Sequence, residues 1–234
     1  MQRLFLAAAI LVSITSCKKD IIGSGNIITQ QRTTDNFNTI VTKGDFKVVV
    51  VKDQINSLEM TGEDNILEKV VTEVVGNQLT IKYENGVRIY RHKTVTVKVK
   101  TPSLVKTEID GSGSIESADI WNATNFIAAI DGSGIINIHT ISDSFDGHIR
   151  GSGDMNILGS EKAIQLRIDG SANIYAFGFI ANDAAASING SGKIETTATN
   201  NLEATIKGSG KIYYKGSPSI STNISGSGSV QKTK

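Results

Sequence analysis

A short glycine-containing repeat is the feature that most constrains what this chain can fold into. Seven segments of the type Ile-x-Gly-Ser-Gly, one of them ending in Ala, recur through the C-terminal half; their first glycines are Gly111, Gly132, Gly151, Gly170, Gly190, Gly208 and Gly226. Successive first glycines are 21, 19, 19, 20, 18 and 18 residues apart. A period this regular is typical of a solenoid, in which each repeat packs against its neighbours.

The residues upstream of each first glycine alternate with a period of two. The residue two positions before it is always Ile, and the residue six positions before it is usually large, as at Phe126, Phe145 and Leu202. One strand face therefore points inward. This pattern predicts an all-β fold, a right-handed parallel β-helix or solenoid of about seven coils with a period of about 19 residues. We expect the glycines where the wall bends inward, where a β-carbon would collide with the opposite wall or need an unfavourable backbone angle.

Residues 37–101 predict a strand-rich N-terminal subdomain that precedes a solenoid over residues 102–234. Residues 71–75 and 78–83 alternate around Gly76-Asn77, which suits a tight hairpin, and Asp64-Asn65 opens one helical turn. This subdomain would cap one end of the solenoid. The C-terminal coil would stay uncovered, and an open coil is an edge that recruits another chain, so we expect self-association or partner docking there.

The first residues predict an exported, membrane-anchored protein. Arg3 and the apolar run of residues 4–12 have the length and order of a signal peptide. Ile14-Thr15-Ser16-Cys17 resembles a bacterial lipoprotein signal, which implies cleavage after residue 16 and lipidation of Cys17. The composition of residues 17–36, rich in Gly, Thr, Gln and Asn, predicts a tether with room for one strand at residues 26–29. The resemblance to a lipoprotein also favours the outer membrane, because lysines follow the cysteine. We expect a cell-envelope protein on the periplasmic face or the cell surface.

Four features together resemble the head-GIN domain family. They are the Gly23-Ser24-Gly25-Asn26 opening, the strands that begin at Phe37 and Asp45, the strand from Gln78, and the Gly-Ser-Gly repeats. The resemblance covers residues 23–230. It implies a lipoprotein of Bacteroidetes type that carries the label of an auto-transporter adhesin, with a protein or glycan as its ligand, and it transfers no binding residue.

An enzymatic alternative rests on the aspartates that precede the glycines. Asp110 and Asp131 occupy equivalent positions in adjacent coils, and a carbohydrate-active solenoid enzyme needs two carboxylates about 5 to 10 Å apart. Arg150, Asn189 and Lys207 continue the same column, which favours turn residues over catalytic ones. We therefore predict a non-enzymatic protein and keep the glycan-active reading as the alternative.

The remaining candidates predict no cofactor and no metal. His92, His139 and His148 share no ligand spacing, and the repeats lack the calcium-binding register of Gly-rich β-rolls. The net charge of +1 gives no basic surface for nucleic acid. Trp121, in a connecting segment, is the best candidate for a surface contact, whereas Phe177 and Phe179 are expected to pack inside or beneath a loop.

Overall fold

The computed structural model describes residues 19–234; the predicted signal peptide (residues 1–16) and the predicted lipidation site Cys17 lie outside the described residues. The N-terminal elements are β1 (Lys19–Ile22), β2 (Ile27–Thr33), β3 (Thr39–Gly44), β4 (Lys47–Lys52), β5 (Ser57–Glu63), α1 (Asp64–Leu67), β6 (Val70–Val75), β7 (Gln78–Tyr83), β8 (Val87–Arg91) and β9 (Thr96–Thr101). The repeat region forms β10 (Lys106–Gly111), β11 (Ser114–Gly132), β12 (Ile135–Gly151), β13 (Asp154–Gly170), β14 (Asn173–Gly190), β15 (Lys193–Gly208), β16 (Lys211–Lys215), β17 (Ser219–Gly226) and β18 (Ser229–Lys232).

The repeats stack as parallel coils. Each of β11 to β15 begins just after one Gly-Ser-Gly segment and ends at the first glycine of the next. Neighbouring coils pair in register, so the first glycines form one column along the stack from Gly111 to Gly226. The predicted parallel solenoid with a repeat of about 19 residues is confirmed.

Every coil contributes two inward-facing runs. In β12, Ile136, Ile138 and Thr140 are buried, residues 141–144 are at least partly exposed, and Phe145 and Ile149 are buried again. We call the segment that leaves a glycine corner wall B (residues 135–140 here) and the segment that enters the next corner wall A (residues 145–151). The predicted inward column is wall A, and wall B adds a second. Each buried Ile contributes about 1.5 to 3 kcal/mol.

The corner glycines are required by the stacking itself. The backbone φ of Gly190 is +134°, and a β-carbon built there would lie 2.2 Å from the carbonyl oxygen of Gly170 in the preceding coil. The other first glycines repeat this geometry against the glycine one coil earlier. The expected unfavourable backbone angle is confirmed. The expected collision partner is wrong, because the obstacle is the neighbouring coil rather than the opposite wall.

The stack continues into the N-terminal region. β3 pairs in parallel with β10 and places Gly44 beside Gly111, while β4 pairs in parallel with β11. β7 and β9 extend the two walls one step further. Antiparallel strands then close this end, with β6 beyond β7, and β5 and β2 beyond β9. One continuous core therefore runs through both predicted regions.

Several local predictions for this region can be compared with the structure. The hairpin around Gly76-Asn77 is confirmed as β6 and β7, and the helical turn as α1. The strand expected at residues 26–29 lies mostly within β2, which pairs with β5. The tether also contains β1, which was not expected and pairs with β8. At the end of β5, Glu63 accepts hydrogen bonds from the backbone N–H groups of Lys93 (2.9 Å) and Gly25 (2.8 Å). Within residues 19–234, no helix is long and apolar enough to cross a membrane.

Wall A of the C-terminal coil, formed by β17, is exposed along its whole length. β17 continues the inward column, but Ile220 and Ile224 are 41% and 42% exposed, whereas Ile206 one coil earlier is fully buried. Every residue of β17 belongs to the exposed class. The uncovered C-terminal coil expected from the sequence is what the described residues show.

Candidate functional site

A column of polar side chains lies on the outside of the solenoid, one residue before each corner glycine. In order along the stack its members are Lys43, Asp110, Asp131, Arg150, Asp169, Asn189, Lys207 and Ser225. Lys43 Nζ lies 3.5 Å from Asp110 Oδ2, and Arg150 Nη1 lies 2.9 Å from Asp131 Oδ2. All four side chains are more than half exposed, so each pair adds at most about 1 kcal/mol of stability.

Asp110 and Asp131 do lie side by side on adjacent coils, as the enzymatic alternative requires. Each carboxylate, however, is paired with a cation from the coil on its other side. Glycoside hydrolysis needs two carboxyl groups that are free to act on a bound sugar, one as the acid and one as the base or nucleophile. The geometry of this pair therefore fits a row of surface ion pairs better than a catalytic acid and base. We call this row of paired side chains the ladder.

Asp169 extends the ladder through partners in the two adjacent coils. His148 Nε2 lies 3.2 Å from Asp169 Oδ2, and the Asn189 amide donates to Asp169 Oδ1 at 3.3 Å. Burial opposes ionisation of this carboxyl, but the hydrogen bonds from His148 and Asn189 outweigh it and lower the pKa of Asp169. The third aspartate of the column is thus held as a carboxylate.

A groove of about 740 Å³ lies on the outer face of wall A. Two parallel ridges, separated by one inward-pointing residue, form its sides. The first ridge consists of Asn125, Ser144, Ala163, Asp183 and Asn201, and the second of Ile127, Asp146, Gln165, Ala185 and Glu203. Sequence reasoning missed this groove, although the alanines at 163, 184 and 185 marked a local loss of side-chain volume across two adjacent coils.

Comparison with known families decides which family this solenoid represents. The family model described as "Putative auto-transporter adhesin, head GIN domain" matches residues 36–218. The chain belongs to this family. The match spans β3 to β16 and leaves out β1, β2 and the last coil. It confirms the resemblance stated from the sequence. No functionally curated protein matches the chain.

Three crystal structures of proteins from Bacteroides and Parabacteroides are similar to this chain over most of its length. A "putative adhesin" from Bacteroides fragilis is 25% identical with a TM-score of 0.86, covering 91% of this chain and 100% of the relative. A "putative lipid binding protein" from Parabacteroides distasonis is 28% identical with a TM-score of 0.78, covering 92% and 100%. A "putative adhesin" from Parabacteroides merdae, at 21% identity and a TM-score of 0.73 over 92% and 99%, supports the fold.

Trp121 is not a surface residue, and the prediction of a contact there is wrong. Its side chain is 1% exposed, and the indole Nε1–H donates to the Ser117 hydroxyl at 2.9 Å. In the next coil, Thr140 donates to the Trp121 carbonyl at 2.9 Å. Trp121 lies six residues after the inward-facing Ile115. Because side chains of a strand alternate with a period of two, this even spacing in the head GIN chain could have predicted that Trp121 also faces inward.

The other aromatic residues mostly serve the core. Phe179 is fully buried and lies 5.5 Å from Phe145 between ring centroids, which confirms the expected packing. Phe177 is half-buried beneath the ammonium group of Lys215, which lies 4.9 Å from the ring centroid. These rings therefore offer little free aromatic face for stacking on a sugar.

His92 belongs to a cluster that joins the cap to the first corner. The Tyr83 hydroxyl donates to Asp45 Oδ1 at 3.0 Å, and His92 Nε2 lies 2.9 Å from Asp45 Oδ2. Burial, together with the negative charge of Asp45, raises the pKa of Tyr83. This arrangement is structural. Among residues 19–234, no group of three or more histidine, cysteine or carboxylate side chains could hold a metal ion.

Proposed function

We propose that this head GIN protein is a non-enzymatic, adhesin-like binding protein of the cell envelope. In this proposal the signal peptide directs export, a lipid on Cys17 anchors the chain in the outer membrane, and the solenoid presents its outer walls to a protein or glycan. The description of the family as an auto-transporter adhesin and the 25% identical "putative adhesin" from Bacteroides fragilis support the binding role. Fold alone would not suffice, because one fold hosts many functions.

The observation that carries the proposal is the regularity of the outer wall. In-register pairing from β10 to β15 places equivalent side chains at the strand spacing of about 4.8 Å. Backbone hydrogen bonds on both sides of each coil hold these side chains in fixed rows. A surface that is already ordered loses little conformational entropy on binding, so weak polar contacts can add up to useful affinity.

The short distance between the proposed anchor and the first strand supports an orientation at the membrane. β1 begins at Lys19 and pairs with β8, so only residue 18 separates Cys17 from the sheet. Two residues of extended chain reach about 7 Å at most. A lipid on Cys17 would therefore hold the capped end close to the bilayer, rather than on a tether of twenty residues.

Fractionation and surface proteolysis of intact cells test the anchor and the location together. The full chain, Cys17→Ala and the control Ser13→Ala are expressed in the native type of host. We expect the full chain and Ser13→Ala in the membrane fraction and accessible to external protease, and Cys17→Ala in the soluble fraction. Membrane retention of Cys17→Ala would contradict the lipid anchor. Protection from protease until the outer membrane is permeabilised would contradict the adhesin role.

A further inference from the structure

The two ridges of the wall A groove carry a charge pattern of one sign. Asp183 lies on the first ridge, and Asp146 and Glu203 lie on the second. No Lys, Arg or His lines the groove. The second ridge continues one coil beyond Ile127 to Lys106, whose ammonium group is paired with Glu108 at 2.8 Å. Arg167 lies two residues beyond Gln165, on the next ridge towards the glycine corner. The groove therefore favours a cationic occupant and disfavours anionic groups such as phosphate headgroups.

Neutral groups between the carboxylates suit a peptide backbone. Asn125 and Gln165 present amides, which can both donate to a carbonyl and accept from an N–H. Ala163 and Ala185 leave room for a chain to approach the wall closely. The inward-pointing residues below the groove, such as Phe145 and Ile164, are 2% exposed and are not available for stacking. The surface that an occupant meets is thus amides, carboxylates and small apolar side chains.

The carboxylate spacing matches an extended strand that lies along the stacking axis. Asp146 and Glu203 are three coils apart on one ridge, about 14 Å at the usual strand spacing. Asp183 is two coils from Asp146, about 10 Å along the axis, on the other ridge. In an extended peptide, residue i+4 lies about 14 Å from residue i on the same side, and residue i+3 lies about 10 Å away on the opposite side.

We propose that the wall A groove binds an extended basic peptide segment with Lys or Arg at positions i, i+3 and i+4. The side chain at position i would meet Asp146, the one at i+3 would meet Asp183, and the one at i+4 would meet Glu203. This inference rests on the proposed binding function and names its class of partner: a flexible, basic stretch of protein.

The test measures binding of labelled octapeptides to the full chain in detergent micelles by fluorescence anisotropy at low salt. The probe is Ser-Lys-Ser-Ala-Lys-Lys-Ser-Ala, and its control Ser-Ser-Lys-Lys-Lys-Ala-Ser-Ala has the same composition with adjacent lysines. We expect the probe to bind several-fold more tightly than the control. The double variant Asp146→Asn/Glu203→Gln should weaken probe binding about fivefold, since it removes two exposed ion pairs. The variant Glu116→Gln, an exposed carboxylate on wall B, should leave binding unchanged.

A steric variant separates the groove from general electrostatic attraction. Ala163 is exposed, so Ala163→Trp should fold normally and abolish probe binding without a change in charge. Equal binding by Ala163→Trp would overturn the groove assignment, and equal affinity for the two peptides would overturn the spacing. Binding of phosphatidylcholine vesicles that Ala163→Trp abolishes, with no peptide binding, would replace the peptide by a lipid. None of these results contradicts the proposed envelope function, because that function is tested separately by the proteolysis of intact cells.

Discussion

Substitution of Gly190 by Ala should cost far more stability than any exposed substitution nearby. The added β-carbon would lie 2.2 Å from the Gly170 carbonyl oxygen, and ordinary van der Waals contacts begin near 3.4 Å. That carbonyl accepts a hydrogen bond from the Ser191 N–H at 3.0 Å, so it cannot move aside freely. A φ of +134° adds backbone strain of about 1 to 3 kcal/mol, and the overlap adds about 1 to 3 kcal/mol. We expect a loss of about 4 kcal/mol in the free energy of unfolding.

Two neighbouring substitutions provide matched controls. Ser191 is exposed, so Ser191→Ala should change stability by less than about 0.5 kcal/mol. At Gly192 the φ is not in the left-handed region, and a β-carbon would lie 2.6 Å from the Ala172 carbonyl oxygen and 2.9 Å from Ile168 Cγ2. The equivalent position one coil earlier is Ala172 itself, fully buried, so this column accepts a methyl group. Gly192→Ala should therefore cost about 1 to 2 kcal/mol.

Equilibrium unfolding in urea measures all three variants. The midpoint should shift in the order Ser191→Ala, Gly192→Ala, Gly190→Ala, while the dependence on denaturant concentration stays constant. Circular dichroism reports on the whole stack, and fluorescence of Trp121 reports on β11. If Gly190→Ala and Gly192→Ala agree within about 0.5 kcal/mol, the distinction between the two glycine columns is refuted.

Three further outcomes follow from individual buried contacts. The buried Thr196 hydroxyl has no partner among the described residues, so Thr196→Val should raise stability by about 1 kcal/mol in thermal melts, whereas Thr140→Val, which removes a backbone hydrogen bond, should lower it. Ser117→Ala leaves the buried indole N–H unpaired and should cost about 1 to 3 kcal/mol in urea unfolding; an unchanged midpoint would contradict this. Backbone hydrogen bonds lower the pKa of Glu63 in the folded chain. The ionised Glu63 carboxylate should therefore stabilise the fold above the ordinary Glu pKa, and this stabilisation should be lost as the pH falls through the lowered pKa. A pH titration of stability should show this loss in the unaltered chain and not in Glu63→Gln.

The solenoid could be predicted because its glycine columns tolerate so little variation. Every corner from Gly111 to Gly226 needs a positive φ and space against the previous coil, so the sequence repeats the same residue at each one. Wall A adds an invariant inward Ile two residues earlier. Residue types that recur at a fixed period can be recognised in the sequence without any knowledge of long-range contacts.

The N-terminal continuation of the stack could not be predicted from the sequence in the same way. Gly44 occupies the corner column with a φ of +133°, but Asp45-Phe46 follows it where the repeats have Ser-Gly. β2 pairs with β5 although β3 and β4 lie between them in the sequence, and nothing in the mostly polar residues 27–33 specifies that partner. Pairing between distant strands depends on which edges the rest of the fold leaves open, and a local pattern does not contain that information.

The groove shows why function in such a fold is harder to predict than its architecture. Packing restricts the residues at inward positions, because the loss of even one buried methylene group destabilises the core. Outward positions on wall A change at little cost, since surface substitutions usually alter stability by less than about 0.5 kcal/mol. The ridges can therefore vary freely, and only the register between coils brings Asp146, Asp183 and Glu203 into one groove. A binding site on a stacked fold is thus a property of columns across repeats, which a search for motifs along the chain does not detect.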